Sequence, residues 1–152
     1  KGLLNYKVCR YADFMPSMES EYQDGYIIKT VWHHDPYIQS DDKDLVFVPV
    51  RTGDLNVYSV TWEDGSKHQR AYKNGLLAYE QEISKYGMVL KKETYSFPSN
   101  NKVKITFETI DYKTKTLTAQ STSVIDVPNM EMYHEDMNVD SGDYRWENYY
   151  NK

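Results

Sequence analysis

The feature that most constrains this chain is a run of glycine-marked turns set one strand apart. Asp64-Gly65 and Asn74-Gly75 are dipeptides that readily take the positive φ angles of type I′ hairpin turns. Tyr86-Gly87 repeats the signal, so the three glycines recur after 10 and 12 residues. That interval holds one strand and one turn, which predicts a meander or hairpin array. Pro98-Ser99-Asn100-Asn101 supplies a longer loop, and Asp111-Tyr112-Lys113-Thr114 a tight polar turn.

Alternation between the turns agrees. From Lys102 to Thr109, Val103, Ile105 and Phe107 share one face, while Lys102, Lys104, Thr106 and Glu108 share the other. In Met88 to Phe97, Val89, Tyr95 and Phe97 have one parity with Lys91 and Glu93 between them, so this strand runs past the edge of the core at its middle. Leu76 to Lys85 would also make two helical turns, but a turn signal at each end favours a strand. Upstream, Tyr26 to Trp32 and Leu45 to Val50 read as strands, with a polar loop between them. Within residues 11–23, Ser17 reads as the cap of a short helix. After Pro128 the pattern dissolves into Met, acidic and Tyr residues, so residues 129–152 form either a covering segment or a loosely ordered tail.

The expected architecture is mainly β: an antiparallel meander of about eight strands in an open curved sheet or a small barrel, with irregular N- and C-terminal segments. The open sheet is favoured because little aliphatic material exists to fill a lumen. We expect residues 1–152 to form a single domain, with a β core over 26–127 and an acidic, aromatic tail over 128–152. Mean hydropathy is −0.78, and 15 tyrosines supply amphipathic ring in place of aliphatic chain, which suits strands with one wet face.

Composition narrows function by exclusion. The net charge of −5 arises from 23 acidic and 18 basic residues, and the basic ones are scattered, which argues against nucleic acid as a partner. A single cysteine, Cys9, excludes an internal disulfide framework and a multi-cysteine zinc site, and it reads as buried or unreactive. No run approaches the roughly 18 apolar residues of a membrane span. Lys1 in place of Met would follow from removal of a secretion signal or from a cloned fragment; the former weights the expected compartment towards secreted or periplasmic.

Candidate chemistry is sparse. His33-His34-Asp35 and His134-Glu135-Asp136 could be drawn together as imidazole and carboxylate ligands, but neither carries the helical i, i+4 pair of metalloproteases, and solvated loop histidines are the simpler reading. Glu80 and Glu82 share a strand face, and Asp41, Asp42 and Asp44 cluster in a loop. Either set could supply two carboxylates for glycoside chemistry, but a charged wet face explains both. Neither a nucleophile elbow nor a glycine-rich phosphate loop occurs. We therefore expect no catalytic residues, metal or cofactor, and no enzyme. The aromatics remain. In the hairpin block, Tyr58, Trp62, Tyr72, Tyr79, Tyr95 and Tyr112 read as cross-strand packing. In the tail, Tyr144, Trp146, Tyr149 and Tyr150 are candidates for binding, with Asp41, Asp42 and Asp44 as acidic companions.

The stretch from Asp64-Gly65-Ser66-Lys67-His68 through Tyr72-Lys73-Asn74-Gly75-Leu76-Leu77-Ala78-Tyr79-Glu80 resembles the Tyr-x-Asn-Gly-x-Leu-x-x-Glu hairpin repeats of bacterial antitoxin-like proteins of the MORN-related class. The resemblance lies within residues 58–97; later units lack the repeated Asn-Gly, and the first 55 residues do not match. It implies a sheet architecture and a role in neutralising a partner protein. The leading expectation is thus a non-enzymatic protein-binding module, an immunity or antitoxin-like protein whose partner is a basic toxin. The alternative is a secreted β-barrel-like carrier of a small hydrophobic ligand or glycan. An exposed sheet edge could also pair two copies as a homodimer.

Overall fold

The computed structural model describes residues 2–11, 16–33, 43–136 and 144–150. The fold is mainly β, with antiparallel strands in two sheets that do not close into a barrel. The chain divides into two compact units, residues 1–49 with 138–152, and residues 50–137.

The first unit holds β1 (Leu4–Tyr11), β2 (Pro16–Gln23), β3 (Tyr26–Trp32), β4 (Leu45–Phe47) and β12 (Tyr144–Tyr150), in the spatial order β12-β1-β2-β3-β4. The expected helix at Ser17 is not there: β2 runs through it. Ser20 and Tyr22 are buried while Glu21 and Gln23 are exposed, and the Asp24-Gly25 turn, at φ 53° and 85°, aligns β2 against β3. Two positive φ values in a two-residue loop match the right-handed twist of a hairpin. The buried hydroxyls of Ser20 and Thr30 satisfy each other at 3.1 Å. Cys9 is buried here at 3% exposure. The stretch from Leu45 to Val50, read as one strand, is two. Pro49 has no N–H to give a ladder, and β4 ends before it, while the strand after it belongs to the other sheet.

The second unit is a sequential meander: β5 (Val50–Thr52), β6 (Leu55–Thr61), β7 (Lys67–Lys73), β8 (Leu76–Ile83), β9 (Val89–Ser99), β10 (Lys102–Asp111) and β11 (Thr116–Asp126) lie side by side in chain order. The expected hairpins at Gly65, Gly75 and Gly87 all form, and Leu76 onward is a strand. Asn74-Gly75 is a type I′ turn, with φ 52° and 81°. Gly65 and Gly87 work differently. Each closes a longer loop in which only the glycine has positive φ, with its N–H donating to the carbonyl three residues back, Trp62 at 3.0 Å and Ser84 at 2.9 Å. This is a turn followed by a left-handed glycine bulge. The described strands number twelve, more than the expected eight or so, because β1, β2 and β12 lie in segments expected to be irregular and Pro49 splits one strand.

One face of this sheet is covered at one end. Tyr72, Leu77, Val103, Val127 and Tyr133 form the buried cluster, with Tyr58, Tyr95, Phe97, Ile105 and Met130 packed against it. Val127, Met130 and Tyr133 come from the segment after β11, which includes a 3-10 turn at Met130–Tyr133. The segment crosses the strands between two hairpins. The Val127 N–H donates to the Asn101 carbonyl at 2.7 Å, and the Glu135 N–H to the Gly75 carbonyl at 2.8 Å. The Tyr133 ring meets Tyr95 and Phe97 at 5.8 and 5.7 Å. Glu135 is the anchor: its Oε1 accepts from Asn56 Nδ2 and Tyr58 Oη, each at 2.8 Å. Burial lifts the Glu135 carboxyl above the usual carboxylate range, with the two donors pulling the other way.

Leu77→Ala should therefore cost about 2–5 kcal/mol by emptying a filled core site. Val124→Ala on the exposed β11 should stay within about 0.5 kcal/mol. Urea denaturation of the two variants checks the contrast.

Candidate functional site

The face covered by Val127–Glu135 continues beyond that segment as two open cross-strand rows. Pairing places Arg70 opposite Glu80, Glu80 opposite Glu93, and Glu93 opposite Phe107. The next row outward runs His68, Glu82, Lys91, Thr109. His68, Glu80, Glu82, Lys91, Glu93 and Phe107 line a shallow groove. The strand parity that sends Tyr95 and Phe97 into the core sends Lys91 and Glu93 here, as their alternation implied.

Charges in the groove are unevenly matched. Arg70 Nε donates to Glu80 Oε1 at 2.5 Å, and Lys91 Nζ sits 3.9 Å from Glu82 Oε2. Glu93 accepts a 2.6 Å hydrogen bond from the Tyr95 hydroxyl, but no ion pair reaches it among the described residues. Burial, and then that carboxylate, push the Tyr95 phenol well above its ordinary value. Like charges directly opposite on neighbouring strands destabilise a sheet, so Glu93 facing Glu80 is a cost, against which stand the Arg70 ion pair and the Tyr95 hydrogen bond.

A sequential meander puts every second turn at the same end. The turns joining β6 to β7, β8 to β9 and β10 to β11 all lie at the groove end, and each carries a large exposed aromatic: Trp62 at 57%, Tyr86 at 84% and Tyr112 at 66% exposure. Turns two strands apart stand roughly 10 Å from one another. Lys85 Nζ lies 5.2 Å from the Tyr86 ring centroid and Lys115 Nζ 5.9 Å from that of Tyr112, contacts that help orient the rings. The opposite end, with turns at Gly53-Asp54, Asn74-Gly75 and Asn100-Asn101, displays no aromatic in those positions. Trp62 and Tyr112 thus leave the packing role expected of the hairpin aromatics, whereas Tyr58, Tyr72 and Tyr95 fulfil it. Tyr79 lies on the other face of the sheet, under Lys92 Nζ at 4.5 Å. Tyr86, expected only as part of the Tyr86-Gly87 turn, joins Trp62 and Tyr112 at the groove end. The readable signal was its place in a turn of the same parity as Trp62 and Tyr112.

The residues singled out for binding in the tail and acidic loop lie in the first unit. Tyr144, Trp146, Tyr149 and Tyr150 belong to β12 and pair with Tyr11, Cys9, Tyr6 and Leu4. Of the four side chains only that of Tyr149 is described; it is 48% exposed and its ring lies 5.5 Å from that of Tyr6. Asp41 and Asp42 lie outside the described residues, as do His34 and Asp35. Asp44 joins a polar chain. Tyr6 Oη donates to Glu19 Oε1, His33 Nε2 meets Glu19 Oε2 at 2.6 Å, and His33 Nδ1 meets Asp44 Oδ2 at 2.8 Å. Both ring nitrogens face carboxylates, which only accept, so the doubly protonated ring fits. Burial alone would lower the His33 pKa, but the bonds to Glu19 and Asp44 outweigh it and raise it. Burial would raise the Glu19 pKa; the Tyr6 and His33 bonds outweigh that and lower it. Among the described residues no group of three or more His, Cys, Asp or Glu side chains is arranged to hold a metal ion.

Compared with known proteins, the sequence matches no family model, no curated protein and no solved structure. The chemistry of the surface must therefore carry the functional reading.

The His33 chain gives a pH prediction. The lowered Glu19 pKa contributes stability that is present above the ordinary glutamate value and lost as pH falls towards the folded one. The raised His33 pKa contributes stability that is present below the ordinary histidine value and lost as pH rises through the folded one. Both are in place between the two ordinary values. His33→Gln should thus lower stability by about 1 kcal/mol near pH 5.5 and by less near pH 8, as read from urea denaturation at both.

Proposed function

We propose that the chain is a non-enzymatic protein-binding module that engages a basic segment of a partner protein with the groove end of its seven-stranded sheet. The observation carrying this reading is the placement of Trp62, Tyr86 and Tyr112, exposed together on three same-end turns. Large rigid rings displayed on loops over a fixed scaffold are the means by which binding surfaces gain area at little entropic cost. Between them and the covered core, Glu80, Glu82 and Glu93 offer a floor suited to lysine or arginine, and Glu93 keeps a carboxylate that an incoming cation would satisfy. The net charge of −5 favours fast encounter with a basic partner. Together with the antitoxin-like hairpin pattern of residues 58–97, these features support an immunity or antitoxin-like role, in which occlusion of a basic toxin is the function. Neither open sheet offers the closed lumen on which a barrel carrier depends.

The test is capture of a partner from lysate and secreted fractions, followed by calorimetric titration at two salt concentrations. Binding should weaken with salt, and Trp62→Ala or Tyr86→Ala should each weaken it about 30-fold or more, the loss of a hot-spot residue, without lowering the melting temperature. Glu93→Gln separates binding from folding. It leaves an amide oxygen for the Tyr95 hydroxyl and removes the repulsion across to Glu80, so it should change stability by no more than about 0.5 kcal/mol while weakening the complex. A partner indifferent to all three substitutions would refute this assignment of the surface.

A further inference from the structure

The outer strand β11 is an unusual edge. Its eleven residues are exposed except for the half-buried Leu117, and Thr116 to Ile125 contains neither a charge nor a proline. Sheets commonly blunt their edges with charges, prolines or short strands, and the opposite edge, β5, is only three residues long. The charges at β11 stand just at its ends, Lys115 before it and Asp126 at its close.

We infer that β11 pairs antiparallel with β11 of a second copy of this chain, in the register that sets Leu117 opposite Val124. The same register sets Lys115 opposite Asp126, Thr116 opposite Ile125, Thr118 opposite Ser123 and Ala119 opposite Thr122. At both ends Lys115, in the turn before β11, comes beside Asp126 of the other copy, which also holds Lys102 of its own chain at 2.7 Å; an apolar pair and a hydroxyl pair recur on each side of the two-fold axis, and no like charges oppose. These are the pairings that stabilise adjacent strands.

The bulge in β11 fixes this register. Ile125, Ser123 and Ser121 face the same side as Val103, Ile105 and Phe107, but beyond the shift between Phe107 and Glu108 that side is taken up by Thr118 and Thr116. Val124, Thr122, Ala119 and Leu117 occupy the other side. In an unbroken strand, Leu117 and Val124 would point to opposite faces. The extra residue at Gln120 reverses the parity at the centre of the pairing, so every opposed pair shares a face. Edge pairing of this length buries less than the roughly 1,000 Å2 of a firm interface, so the dimer is weak and concentration-dependent. Its two groove ends point in opposite directions along the strands and remain open.

Sedimentation velocity of the full chain across the micromolar range, together with oxidative cross-linking, tests the pairing. The wild-type chain should move from monomer to dimer with concentration. Val124→Lys, at an exposed position opposite Lys104 of β10, should abolish the shift while lowering stability by no more than about 1 kcal/mol. Chains carrying Leu117→Cys mixed with chains carrying Val124→Cys should cross-link to each other, and each should do so poorly alone; the wild-type chain controls for Cys9. A chain monomeric throughout, a dimer that survives Val124→Lys, or preferential 117-to-117 linkage would overturn the inference. Binding at the groove end does not pass through β11, so partner affinity that depends on Trp62 and Tyr86 stands or falls separately.

Discussion

The seven-stranded sheet depends on one strap. A sheet of this composition has one wet face by design, and its other face is stable only where something dry lies on it. The segment from Val127 to Glu135 does this for one end, held at the Asn101 and Gly75 hairpins by backbone hydrogen bonds and at its own end by the Glu135 carboxylate on Asn56 and Tyr58. The strap is short. What it leaves bare becomes the groove, so the apolar core and the candidate binding surface are two parts of one face, divided by the reach of the strap.

The division explains why tyrosine serves this chain so widely. Beneath the strap, Tyr58, Tyr72 and Tyr95 contribute ring area to the cluster, and Tyr58 and Tyr95 direct their hydroxyls to Glu135 and Glu93. Tyr58 and Tyr72 meet edge to face at 5.7 Å, an arrangement that ring quadrupoles favour. At the turns the same residue type stands in water. One side chain serves both settings because it brings apolar area and a polar tip together, and only position within the meander decides which is used.

Much of this was legible in local sequence and little of it in distant sequence. Asn74-Gly75 and the alternation of Val103, Ile105 and Phe107 gave their structures directly, since turn chemistry and period-2 patterning act over a few residues. Pro49 was visible as an interruption, but its effect, the passage from one sheet to the other, is a matter of topology. The pairing of β1 with β12 joins residues more than a hundred positions apart, and no short-range pattern announces it. Ser17 misled because a capping residue competes with strand alternation, and the hairpin at Asp24-Gly25 decided the outcome. Of the groove, Glu80 and Glu82 could be placed on one face from spacing alone. The approach of Glu93, His68 and Arg70 needed register, which bulges at Tyr72 and Ile83 shift by a residue.

The pairing of β12 with β1 also orders events in time. The strands of the first unit come from both sides of the second in the chain, so β1 to β4 are made before residues 50–137 and their neighbour β12 after them. Residues 50–137 are synthesised in that interval, and the meander pairs only with strands already made beside it. Each strand of the meander after β5 pairs with one made just before it, whereas the first sheet gains its fifth strand only after the whole inserted unit has been synthesised.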